Sequence, residues 1–130
     1  MNKDKLLMLD SYVKAGVSPI LLEDIPAEIF EDAIILEGDC DKSLLNGHYE
    51  KEEFYPPKWY SELLKKEKPL LVIKDINKIS IEEQGKFIEL FKYKKVSTFE
   101  LSKNCIIILT VSNLKENRIN EEVYSLVVHI

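Results

Sequence analysis

An α/β domain is what this sequence predicts, with a doubly wound, mostly parallel five-stranded sheet and helices on both faces. Three observations carry the expectation. Leu70-Leu-Val-Ile73 and the segment from Cys105 to Val111 are unbroken apolar runs, as in strands covered on both sides. Several intervening segments repeat their apolar residues with the period of an amphipathic helix. Strand and helix patterns also alternate along the chain, and right-handed crossovers turn such an order into a parallel sheet.

Taken in order, residues 3–15 read as a helix, with Leu6, Leu9 and Val13 on one face and Gly16 placed to end it. Ser18-Pro-Ile-Leu-Leu22 is a short strand with Pro19 near its start, where a missing N–H is tolerated. Glu23 to Pro26 is a turn, and Ala27 to Asp32 allows a turn or two of helix. Ala33-Ile-Ile-Leu36 is the second strand. The polar stretch from Glu37 to Tyr55 is long for a compact domain, so a helical turn at Ser43–Leu45 or a mobile segment is expected. Pro57 suits the first position of a helix carrying the i, i+4 pairs Trp59/Leu63 and Tyr60/Leu64.

Leu70–Lys74 is the central strand. Ser80 and Glu83 form a capping box for a helix whose inner face is Gln84, Phe87, Ile88 and Phe91. Lys92–Lys95 is basic, and the alternation over Val96–Leu101 suggests a short exposed strand or hairpin arm. After the strand ending at Val111, Asn117–Ser125 reads as a short helix and Leu126–Ile130 as the last strand. One domain over residues 1–130 is expected, since no repeat or low-complexity linker divides the chain.

Composition narrows the function classes. A content of 45% apolar and 32% charged residues is that of an ordinary globular protein. No apolar run nears the roughly 20 residues of a membrane span, and no signal-peptide core opens the chain. Cys40 and Cys105 lack metal-ligand spacing, and Cys105 reads as a buried thiol, so a reducing, cytoplasmic setting is expected. His48 and His129 are far apart and suggest no metal cluster. Between Glu23 and Asp41 stand eight acidic residues and no Lys or Arg; of the net −5 this segment holds −8, leaving +3 elsewhere. So acidic a region repels phosphates and cannot be a nucleic-acid face.

The central strand ends abruptly in polar residues: Lys68-Pro-Leu-Leu-Val-Ile-Lys-Asp-Ile-Asn-Lys78. In open α/β sheets, ligands sit at such carboxyl ends. With Tyr55-Pro-Pro-Lys-Trp59 before it, the helix 80–91 and Lys94-Lys-Val96 after it, then Ile106-Ile-Ile-Leu-Thr-Val-Ser-Asn113 and Ser125-Leu-Val-Val-His-Ile130, six stations appear in order. In that order the chain resembles the MoxR-type branch of the AAA+ ATPases over most of residues 16–130. The resemblance implies a P-loop NTPase core, with the chain stopping where the family's helical lid begins.

It also implies where the chemistry would lie, and there the residues differ. A P-loop needs a Gly-rich turn, a Lys and a Ser or Thr on magnesium. The corresponding turn, Leu22-Glu-Asp-Ile-Pro-Ala-Glu-Ile-Phe-Glu31, has no Gly and no Lys. Phe30 falls at the Lys, with Asp24, Glu28 and Glu31 nearby. Each carboxylate would repel a phosphate charge by about 3 kcal/mol at ~5 Å and an effective dielectric of ~20. Lys74 falls at the magnesium-binding Asp and Asp75 at the water-polarising Glu; a cation cannot ligate Mg²⁺. A shift of one residue puts Asp75 at the Walker B Asp and still removes the Glu. Carboxylates around Glu23 and Asp24 offer Lys74 an ion pair that would fill the phosphate site. Asn113 matches sensor 1, yet an Asn ending a strand is also a turn former. Leu126 stands at the arginine finger.

The expectation is a non-catalytic AAA+-like scaffold or interaction domain with no ATP hydrolysis, no cofactor and no metal. Its partner would be another protein, with AAA+ ATPases among the candidates. The candidate surface is Lys92–Leu101 with Phe99, together with Tyr49, Phe54 and Tyr55; simple packing over the sheet edge is the alternative. Three other functions remain open: a nucleotide-binding switch without hydrolysis, weak nucleic-acid association through Lys92, Lys94 and Lys95, and an enzyme of another class. The last would use Glu23, Asp24 or Asp75, for which no His or Cys partner is identifiable in the sequence.

Overall fold

The computed structural model describes residues 3–130. Five parallel strands form the central sheet: β1 (Ile20–Glu23), β2 (Ile34–Glu37), β5 (Leu70–Lys74), β8 (Ile106–Val111) and β9 (Val128–His129), in the spatial order β2-β5-β8-β1-β9. Every pairing in this sheet is parallel, so the expected fold class holds at that level. All six residues of β8 are buried, which is why its run is apolar throughout.

Side-chain alternation sends each strand's residues into two layers. Leu21, Leu36, Leu71, Ile73, Ile107 and Leu109 face a layer built by α3 (Lys58–Leu64), the 3₁₀ turn that follows α4 (Ile81–Gln84), α5 (Ile88–Tyr93) and α6 (Glu121–Ser125). Ile20, Leu22, Val72, Ile106 and Ile108 face the opposite layer, built by α1 (Lys3–Lys14) through Leu9 and by the β1–β2 connection through Ile25 and Ala27. Trp59, Leu63, Phe87 and Phe91 supply much of the thicker layer. Burying a side chain of that size is worth about 1.5–3 kcal/mol.

Several expectations need correction. The segment Ala27–Asp32 yields only a 3₁₀ turn at Ala27–Ile29, because Pro26 precedes it and Phe30 bonds back to Ala27 O and ends it. Within residues 37–55 the helical turn expected at Ser43–Leu45 is present as α2 (Lys42–Asn46), capped by Asp41, but an unforeseen antiparallel hairpin follows, pairing β3 (His48–Glu50) with β4 (Glu53–Tyr55). Its turn places Lys51 and Glu52 at φ 52° and 70°, the left-handed region usually given to Asn-Gly. Val96–Leu101 forms a second hairpin, β6 (Lys95–Val96) with β7 (Phe99–Glu100), but Val96 and Leu101 are buried rather than exposed. The helix after Ser80 is interrupted by a 3₁₀ turn at Gly85–Phe87. The helix expected from Asn117 starts only at Glu121. The carbonyls of Asn117 and Arg118 are taken by the buried side chains of Asn77 and Gln84, and Asn120 then caps α6.

Candidate functional site

The sheet has one switch point. From β1 the chain leaves on the α1 side toward the far edge at β2, whereas from β8 it crosses over β1 on the other side to reach β9. The crevice where the two connections diverge is the position open α/β sheets use for ligands. It is lined by Asp24–Glu28, Lys74, Asp75 and Thr110–Ser112 and encloses about 370 Å³. A larger hollow of about 620 Å³ lies to the side, between Asp39–Lys42 and Glu82–Lys86.

Three neighbouring strands leave this end of the sheet by the same device. Asp24 after β1, Asp75 after β5 and Asn113 after β8 adopt φ of 61°, 56° and 53°. Asp and Asn tolerate the left-handed region better than other non-glycine residues, and it turns the chain sharply off the strand. Asp24 N–H donates to Val111 O at 2.9 Å, and Asp75 N–H donates to the Thr110 hydroxyl at 3.1 Å. Asn113 O accepts from the N–H groups of Glu116 and Asn117. Its backbone therefore makes a turn, in line with the turn-forming alternative.

The crevice holds an ion pair. Lys74 Nζ lies 2.5 Å from Glu28 Oε1 and 3.9 Å from Glu37 Oε1. The hydrogen bond from Lys74 holds the Glu28 carboxyl below its ordinary range, and Glu28 in turn raises Lys74. Lys74 thus pairs with a carboxylate of the acidic turn after β1, and the one it meets is Glu28, which the 3₁₀ turn brings over the end of β5. Asp75 pairs with Lys78 at 3.2 Å. Phe30 is half-buried and packs into the α1-side layer. Among the described residues, no helix long enough to receive an anion begins at the crevice, since the turn at Ala27–Ile29 has three residues.

With Thr110, Asn77 and Gln84 are buried polar residues that hold this end together. Asn77 Nδ2 donates to Ser112 O at 2.7 Å and Asn117 O at 2.9 Å. Gln84 Nε2 donates to Ile79 O and Arg118 O, and its Oε1 accepts from Asn120 N–H at 2.7 Å. Together they tie the strand-to-helix loops after β5 and β8.

Glu23 does have a histidine partner, which corrects the expectation that it lacks one. Its Oε1 is 3.0 Å from His129 Nε2, and His129 Nδ1 is 2.8 Å from the Tyr124 hydroxyl. The 106 residues between Glu23 and His129 hid this contact. It exists because β9 pairs directly with β1, placing His129 opposite Leu21.

The aromatic candidates divide. Phe99 is half-buried and stacks on Phe54 at 5.6 Å with planes 15° apart, and Tyr60 packs against it at 5.6 Å with planes tilted by 43°. Tyr49 and Tyr55 remain outward, Tyr49 at 76% exposure. Among the described residues no helix is long and apolar enough to cross a membrane, and no group of three or more metal-ligating side chains converges. No protein-family model matches the chain, and no curated protein matches it.

Proposed function

We propose that this chain is an AAA+-like domain, catalytically inactive as an ATPase, that works by binding another protein. The observation that carries the reading is the Lys74–Glu28 pair in the switch-point crevice. A triphosphate placed there would meet Glu28 and Glu37 as repelling charges and would have to break the pair to use Lys74. The turn from Leu22 to Glu31 offers it no glycine loop, and Ala27–Ile29 offers it no helix dipole.

The surface assigned to the partner is the β3–β4 hairpin, where Tyr49 and Tyr55 stand out from a base of Phe54 and Phe99. Exposed tyrosines on a packed base offer large contact area at low entropic cost, as interface anchors do. A benzophenone photo-crosslinker placed at Tyr49 tests it. The expected result is one discrete heterologous adduct, absent when the crosslinker is placed at Glu82 on another element. Equal adducts from both positions, or none from Tyr49, would remove the hairpin from the account. An ATPase assay at millimolar Mg-ATP is expected to read no turnover above buffer.

A further inference from the structure

We propose that Glu23, His129 and Tyr124 form an acid–base relay that makes the Tyr124 hydroxyl a nucleophile toward small carboxylic esters. The three groups come from three elements brought together at the β1–β9 edge: the end of β1, the last strand and the helix α6. The contacts are 3.0 Å from Glu23 Oε1 to His129 Nε2 and 2.8 Å from His129 Nδ1 to Tyr124 Oη.

Proton placement follows from the donors and acceptors. An ionised carboxylate only accepts, so His129 Nε2 must carry a hydrogen. In the neutral ring this leaves Nδ1 as an acceptor, and the Tyr124 hydroxyl is the group that donates to it. Glu23 thus sets the tautomer, His129 is the base and Tyr124 Oη is the atom to be activated. Nucleophile, base and orienting group stand within hydrogen-bond reach in series, which is how such constellations are recognised on unrelated folds. The Tyr124 and His129 rings meet edge to face at 5.6 Å and 80°, which holds the hydroxyl on the ring nitrogen. Tyr124 is 43% exposed, so a substrate reaches it from solvent. A clamp for the edge strand would need only the ring and the carboxylate. The hydroxyl on the far nitrogen is what a clamp leaves unexplained.

The step balances without a further reagent. Tyr124 Oη attacks the ester carbonyl carbon and its proton passes to His129 Nδ1. The bond from carbonyl carbon to leaving oxygen breaks, and that oxygen takes the proton from His129. Water then attacks the acyl-tyrosine, giving its proton to Nδ1; the phenolate leaves and is reprotonated there. The sum is ester plus water to acid plus alcohol. Tyr124 and His129 are the catalytic groups, and Glu23 is a positioning residue.

The inference is independent of nucleotide binding, so its success or failure leaves the scaffold reading where it stands. The test is turnover of p-nitrophenyl acetate by the full chain, with mass spectrometry of protein quenched during turnover. General-base assistance is worth about 10²–10⁴-fold, so Tyr124→Phe and His129→Gln are each expected to lose at least about 10²-fold. The wild type should carry an acetyl group on Tyr124. Glu23→Gln should lower kcat with KM unchanged, a split that loss of a structural clamp would not produce. Tyr124→Phe keeps the ring and its packing, so the test survives if the His129 variant fails to fold. Undiminished turnover in Tyr124→Phe, or wild-type turnover no faster than that variant, overturns the proposal.

Discussion

Asn77→Ala measures how firmly the strand ends around the crevice are held. Asn77 is 2% exposed, and its amide donates to Ser112 O at 2.7 Å and Asn117 O at 2.9 Å. Alanine removes these bonds and the long one, 3.5 Å, that Asn77 Oδ1 accepts from Ser112 N–H, leaving two carbonyls and an N–H facing a small void. Net hydrogen bonds contribute about 0.5–1.5 kcal/mol, and an orphaned buried group costs about 1–3 kcal/mol. A water entering the void would recover part of that, so the expected loss is about 2–4 kcal/mol. At an unfolding entropy of about 2.1 cal/mol/K per residue, the 130 residues give about 0.27 kcal/mol/K, or a fall in Tm of about 7–15 °C. Urea unfolding followed by Trp59, the single and buried tryptophan, should show a lower midpoint with an unchanged slope. Asn113→Gly is the control: at φ 53° glycine is at ease, so stability should stay within about 0.5 kcal/mol. An Asn77→Ala loss below about 0.5 kcal/mol would refute the idea that this residue ties the two loops.

Other outcomes follow from the same geometry. Gly38→Ala should lose about 1–3 kcal/mol in the same urea assay, because a Cβ there would lie 2.9 Å from Ile76 Cα and 3.0 Å from Asp75 O, backbone atoms that cannot step aside. Lys74→Met should lower stability near neutral pH, and the gap to wild type should close at both extremes. Glu28 is depressed when folded, so its share is present above its ordinary 4.5 and lost as pH falls through its folded value. Lys74 is raised, so its share is present below its ordinary 10.5 and lost as pH rises through its folded value. A gap unchanged at pH 3 would mean the pair is idle. Burial raises the thiols of Cys40 and Cys105, the latter to about 11, so Ellman's reagent should react with them only as fast as the chain opens. Prompt reaction of either in native buffer would contradict their burial.

The parallel sheet was legible because β5 and β8 are continuous apolar runs and Ser80 announces a helix start. The β3–β4 hairpin was not legible, since Lys51-Glu52 is a poor match to the residues that normally make so tight a turn. Shortening of α6 was hidden for a different reason: Asn77 and Gln84 compete for the carbonyls of Asn117 and Arg118 from about 35–40 residues away. Local propensity carries no trace of such competition. At the crevice, the acidic, glycine-free turn after β1 and the polar end of β5 at Lys74 and Asp75 could be read directly. That Lys74 would choose Glu28 depended on how the 3₁₀ turn folds over β5, and the link between Glu23 and His129 depended on strand order. Both are tertiary facts.

The most direct measurement is a titration of ¹⁵N-labelled protein with Mg-ATP, followed by amide shifts of Asp24, Gly38, Asp75 and Ser112 around the Lys74–Glu28 pair. A crevice occupied by its own ion pair predicts no saturable shift at these amides up to millimolar nucleotide. Saturable shifts converging on them would contradict that account.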